Sequence, residues 1–165
     1  MWTAWRAARS ITQLEQNQIA YTDGQGLLDR TTDVITVDYL SGNQTSRGQL
    51  VTVEANSLLF SDFGFSIGSA TVSGIALWLE TQRLSRIQDR VIQLYAGGAV
   101  GLNRANYSAE DSQLYGGESD LWGLIDLPNF DDPAFGVIID LQPHRVMPSA
   151  NPAIIRRVSM RLWLS

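Results

Sequence analysis

From residue 33 to the C-terminus, apolar and polar residues alternate with a period of two in short runs bounded by clusters of Gly, Asn, Asp and Pro. That period is the mark of half-buried β-strands. The runs are Val34–Leu40, Leu50–Glu54, Leu58–Ile67, Ile75–Thr81, Arg90–Tyr95, Leu121–Asp126, Phe135–Leu141 and Ile154–Leu164. In the fourth, Ile75, Leu77 and Leu79 alternate with Ala76, Trp78 and Glu80; in the last, Val158, Met160, Leu162 and Leu164 alternate with Arg157, Ser159, Arg161 and Trp163. One face of each run therefore enters a core. Trp78 and Trp163 fall on the opposite face, where they cover the sheet beneath a loop or meet a partner.

Breakers separate the runs at Ser41-Gly42-Asn43, Ala96-Gly97-Gly98, Tyr115-Gly116-Gly117 and the segment from Pro148 to Pro152, where antiparallel connections need them. The polar stretch Asn103–Ser119 is too long for a hairpin turn and reads as a crossing between two sheets, as in a Greek key. No helical period persists after residue 33. The predicted fold is all-β, a two-sheet antiparallel β-sandwich of jelly-roll-like type.

The first residues follow another rhythm. Trp2, Trp5, Ala8 and Ile11 recur every three positions, which places them along one side of a short helix or an extended arm. Such an element packs on its own core or docks on a neighbouring subunit. The expected division is an N-terminal arm or short helix over residues 1–32 and a sandwich domain over residues 33–165.

Length and composition narrow the function. At 165 residues the chain has the size of one domain, and 44% hydrophobic against 18% charged residues is enough to build a core. Seventeen acidic residues against twelve basic ones give a net charge of −5, so nucleic acid and anionic membrane surfaces are not expected partners. No apolar run approaches the length of a membrane-spanning helix, and the N-terminus lacks the apolar segment of a secretory signal. With no cysteine and one histidine, His144, the chain has no thiolate nucleophile, disulfide framework, Cys-rich zinc site or iron–sulfur centre. All twelve basic residues are arginine, a residue enriched in protein–protein interfaces and also favoured by GC-rich codon usage.

Several patterns invite a chemical reading. Gly64-Phe65-Ser66-Ile67-Gly68 spells the nucleophile elbow of α/β-hydrolases, and Asp140 and His144 follow in that family's chain order. The elbow works only at a strained strand-to-helix turn, whereas here a β-branched run follows, so the serine reads as a strand residue. Glu110, Asp111, Glu118, Asp120, Asp126, Asp131 and Asp132 gather in the second half, without the spacing of a calcium loop or a defined glycosidase pair. Solvated loop acids account for them. His144 lacks a second ligand nearby and reads as a loop residue. Gly24-Gln25-Gly26 lacks a preceding strand and a third glycine, so no phosphate loop is expected. Trp78, Tyr95, Tyr107, Tyr115 and Trp122 could furnish an aromatic platform for sugar. No cofactor, metal or catalytic residue is assigned.

Approximately residues 72–165 contain an ordered series of phrases: Val72-Ser73-Gly74-Ile75; Asp89-Arg90-Val91-Ile92-Gln93-Leu94 followed by Gly97-Gly98-Ala99-Val100-Gly101; Tyr115-Gly116-Gly117; Asp120-Leu121-Trp122-Gly123-Leu124; and Phe135-Gly136-Val137. The series resembles a β-sandwich domain of tailed-bacteriophage virion proteins, among them head-decoration (cement) and tail-associated proteins. The resemblance implies a non-enzymatic structural role. Size, acidity and the tryptophan-bearing arm favour a cement protein on the outer surface of the capsid, bound to the major capsid protein and assembled with itself as a homotrimer. Trp2, Trp5, Arg6, Arg9, Trp78 and Trp163 are the candidate interface residues. The alternative is a tail-fibre or receptor-binding module that recognises host glycan.

Overall fold

The computed structural model describes residues 1–14, 18–22, 35–38, 43–46, 50–53, 57–83, 87–108, 110–143 and 152–165. Its strands are β1 (Arg6–Ala7), β2 (Ser10–Gln13), β3 (Gln18–Thr22), β4 (Ile35–Asp38), β5 (Asn43–Ser46), β6 (Leu50–Val53), β7 (Ser57–Ser61), β8 (Val72–Arg83), β9 (Ile87–Tyr95), β10 (Ala99–Val100), β11 (Ser112–Gly117), β12 (Gly136–Pro143) and β13 (Pro152–Leu164). No helix occurs among the described residues.

Every pairing is antiparallel. The first sheet has the order β1-β13-β8-β11, with β4 also on β13; the second has the order β10-β9-β12-β7-β2-β3; β5 and β6 form a separate ladder. The alternation read from the sequence places the core between the two sheets. Ile75, Leu77, Leu79, Val158, Met160 and Leu162 point inward from the first sheet, and Ile11, Phe60, Ile92, Leu94, Val137 and Ile139 from the second; all are buried in one hydrophobic cluster. The protein is a two-sheet antiparallel β-sandwich.

Of the two forms expected for the N-terminus, the described residues take the extended one: β1 joins the first sheet and β2 the second, with Ala8 and Ile11 fully buried between them. Three expectations are corrected. The strand expected over Leu58–Ile67 stops at Ser61, because Asp62 and Gly64 take φ of 56° and 64°, a left-handed geometry that breaks a ladder. The connection expected over Asn103–Ser119 contains a strand, since β11 pairs with β8 from Ser112 opposite Glu80 to Gly117 opposite Ile75. The run Leu121–Asp126 is a turn. Trp122 and Gly123 have φ of 58° and 71°, the Trp122 N–H donates to Asp120 Oδ1 at 2.8 Å, and the Leu124 N–H donates to the Leu121 carbonyl at 3.0 Å.

That turn carries the largest fully buried side chain among the described residues. The Trp122 indole fills the space between the sheets, and its Nε1–H donates to the Ile75 carbonyl at 3.1 Å, both groups being buried. Gly116, with φ of 79°, makes room for it: a Cβ there would collide with the Ile75 carbonyl and the indole nitrogen. The glycine is thus required for its conformation and for its missing side chain.

Candidate interaction surface

The surface is the outer face of the first sheet, and register assembles it row by row. Cα partners in an antiparallel sheet carry their side chains on the same face. Ser112, Glu80 and Arg157 form one row; Leu114, Trp78, Ser159 and Ala7 form the next; Gly116, Ala76 and Arg161 form the third; Gly74 and Trp163 form the last, with Trp2 bridged to Trp163. Small residues in the middle rows let the large ones lie down over the sheet. Ala76 and Ser159 are buried, while Trp2, Trp5, Trp78 and Trp163 are half-buried and Leu114 is 52% exposed.

The end nearest the N-terminus is rigidly built. The amino group of Met1 donates to the Leu164 carbonyl at 2.5 Å, and the Leu164 N–H returns a bond to the Met1 carbonyl at 2.8 Å. The Thr3 N–H donates to the Leu162 carbonyl at 2.8 Å, and Thr3 Oγ1 accepts from the Leu162 N–H at 3.0 Å. These bonds lay the first residues along β13. Trp2 then meets Trp163 edge to face with ring centroids 5.1 Å apart. The Arg161 guanidinium sits between two indoles, 4.2 Å from the Trp2 centroid and 4.4 Å from that of Trp5. Such pairs are worth about 0.5–2 kcal/mol each, depending on desolvation.

Of the six candidate interface residues, Trp2, Trp5 and Trp163 cluster with Arg161, and Trp78 lies further along the same face. Arg6 lies exposed at the edge, opposite Met160. Arg9 is elsewhere, with its guanidinium packed over Gly64 and 4.0 Å from the Asp62 carboxylate. Arg161 is the residue that sequence reasoning left out. Its alternation with Met160 and Leu162 already placed it beside Trp163, but the cation–π contacts depend on the arm lying alongside β13.

The other motifs resolve into scaffold. Ser66 is exposed in the irregular segment between β7 and β8, with no helix after it, while Asp140 is buried on β12, four positions beyond Gly136. At about 3.3 Å per residue that is roughly 13 Å along the strand. His144 lies outside the described residues. Asp120 accepts from Arg104 and from the Trp122 N–H, and Asp131 accepts from the N–H groups of Ile67 and Gly68 at 2.8 and 3.2 Å. Among the described residues no three His, Cys, Asp or Glu side chains converge as metal ligands. The five aromatics considered as a sugar platform are dispersed: Tyr115 and Trp122 are buried in the core, Tyr107 is exposed on a loop, Tyr95 is on the second sheet and Trp78 is on the first.

Asp89, although fully buried, also serves the scaffold. Its Oδ1 accepts from the Ser108 N–H at 2.6 Å, and its Oδ2 accepts from the Asn106 N–H and the Tyr115 hydroxyl, both at 3.0 Å. The carboxylate ties the two sheets together, because Asp89 is on β9 and Tyr115 on β11. It also anchors the loop that follows β10.

Several of the phrases noted in the sequence meet around Trp122: it bonds to Ile75, its carbonyl accepts from the Leu102 N–H at 2.6 Å and lies against Gly101, and Gly74 lies against the backbone of Gly117 and Glu118. Comparison of the chain with protein-family models, with curated proteins and with solved structures gives no match in any of the three.

Proposed function

We propose that this protein is a non-enzymatic structural component of a bacteriophage virion, a capsid cement or decoration protein on the outer surface of the head. In this reading it bridges copies of the major capsid protein and associates with itself as a homotrimer. The observation that carries the reading is the half-exposed aromatic face formed by Trp2, Trp5, Trp78 and Trp163 on a rigid sheet. Exposed apolar patches on a soluble protein mark contact with another macromolecule, and tryptophan and arginine are the residues on which such contacts most often depend.

Magnitudes fit a face of this kind better than a single anchor. Covering apolar surface gains about 25 cal/mol per Å², and association costs about 4–15 kcal/mol. About 160–600 Å² must be covered before binding begins to be favourable. One tryptophan buries about 150–250 Å², so several indoles on one plane are on the required scale. The resemblance of residues 72–165 to virion sandwich domains supplies the setting, and the acidic balance suits a surface turned away from packaged DNA.

Mass spectrometry of purified virions, calibrated against the major capsid protein, tests the proposal. Copies comparable to the capsid subunit are the expected result. A few to a few dozen copies would move the protein to the tail or neck, where the glycan-binding alternative would have to be reopened, and absence from the particle would overturn the virion reading.

A further inference from the structure

The edges of the sheets are finished in different ways. β1 is two residues long and carries the charged Arg6, and β10 is also two residues long. Beyond β10 the edge of β9 is covered by a side chain acting as a strand: Asn103 Oδ1 accepts from the Ile92 N–H and Nδ2 donates to the Arg90 carbonyl, both at 2.9 Å. These are the usual ways of blunting a sheet edge. β11 has none of them. It is six residues long and contains no charge and no proline, and among the described residues no strand lies beyond it in the first sheet.

Register shows which of its backbone groups are unused. The Thr81 N–H donates to the Asp111 carbonyl at 2.6 Å, which makes that pair hydrogen-bonded and the next pair, Ser112 opposite Glu80, non-hydrogen-bonded. The N–H and C=O groups of Ser112 and Leu114 therefore point away from β8. Both residues are exposed, and the Leu114 side chain stands beside Trp78 on the aromatic face.

Charge selects what could pair there. Glu110 precedes the strand and Glu118 follows it, both exposed. In an antiparallel pairing of two copies centred on Leu114, Glu110 and Asp111 at one end of each strand would be brought toward Glu118 at the other end of its partner, twice over. Like charges directly opposite are destabilising, so the edge rejects its own copy and favours a strand with basic ends. We propose that β11 is an acceptor edge for an extended segment of another protein, one with an uncharged β-forming centre and arginine or lysine at both ends, bound by strand addition.

The test uses the whole protein and labelled probe peptides of alternating valine and threonine, ending in arginine or in glutamate. Fluorescence anisotropy at low salt is expected to show the arginine-ended peptide binding on the order of tenfold more tightly. Leu114→Pro removes one outward N–H and leaves the β8 side of the strand intact, so it should abolish binding. Leu114→Ala keeps the N–H and should weaken binding only a few-fold. Ser112→Pro serves as the second backbone variant, with circular dichroism confirming the fold of each. Replacing Glu110 and Glu118 together by glutamine should erase the preference between peptides and let the protein self-associate. Equal binding of the two peptides, binding that survives both proline variants in folded protein, or no binding of either peptide would overturn the proposal.

Discussion

Trp122 and Trp163 show what one residue type does in two settings of the same sheet. Trp122 is fully buried beneath the first sheet with its indole N–H bonded to a backbone carbonyl. Trp163 lies half-buried on the outer side, edge to face with Trp2. The inner indole is held by complementarity that only Gly116 and an unusual turn make possible, whereas the outer ones are held by one another and by Arg161. The first arrangement stabilises the fold, and the second leaves apolar area on display at modest cost to folding.

Breaking the inner arrangement should have the largest effect. Trp122→Ala is expected to lower unfolding free energy by about 3–5 kcal/mol, through lost burial and the cavity left behind, as read from urea denaturation. Asp89→Asn comes next. An amide cannot accept at both ends, so at least one of the bonds that Asp89 accepts from Asn106, Ser108 and Tyr115 is lost, at a cost of about 1–3 kcal/mol. Hydrogen exchange at Asn106 and Ser108 should accelerate in the same variant. Arg161→Gln removes the cation between Trp2 and Trp5 and should cost about 0.5–2 kcal/mol, with a change in tryptophan fluorescence. The smallest effect belongs to Leu114→Ser, which should leave stability within about 0.5 kcal/mol of the parent. A large loss there would mean that the outer face is part of the core, and the contrast would fail.

The fold was legible where a side chain had to choose a face. Ile75, Leu77, Leu79, Val158, Met160 and Leu162 alternate in sequence and are buried in the structure, and Trp78 and Trp163 fall on the opposite side of the sheet. What stayed hidden was set by backbone conformation. Leu121-Trp122-Gly123-Leu124 has the composition of a strand, but consecutive left-handed residues turn it inward, and tertiary packing overrides the local pattern. The spacing of Trp2, Trp5, Ala8 and Ile11 suggested one side of a short helix or an extended arm. An extended chain that crosses between the sheets instead sends Ala8 and Ile11 to the core and the tryptophans outward. The position of the candidate residues was partly legible for the same reason: the alternation puts Trp78 and Trp163 on the outer face, while Arg9 could be placed only once the turn at Asp62 and Gly64 was known.

The pairing of Met1 with Leu164 has a mechanical consequence. Met1 and Leu164 exchange two backbone bonds as antiparallel neighbours. A load that draws these two residues apart therefore meets the bonds one after another, like the teeth of a zipper, instead of shearing them all at once. Each net bond contributes only about 1 kcal/mol, so peeling begins at low force. It runs past Thr3 and stops at Ala8, where the chain dives between the sheets. Under tension the molecule would release a short tryptophan-bearing tether while its core remains intact.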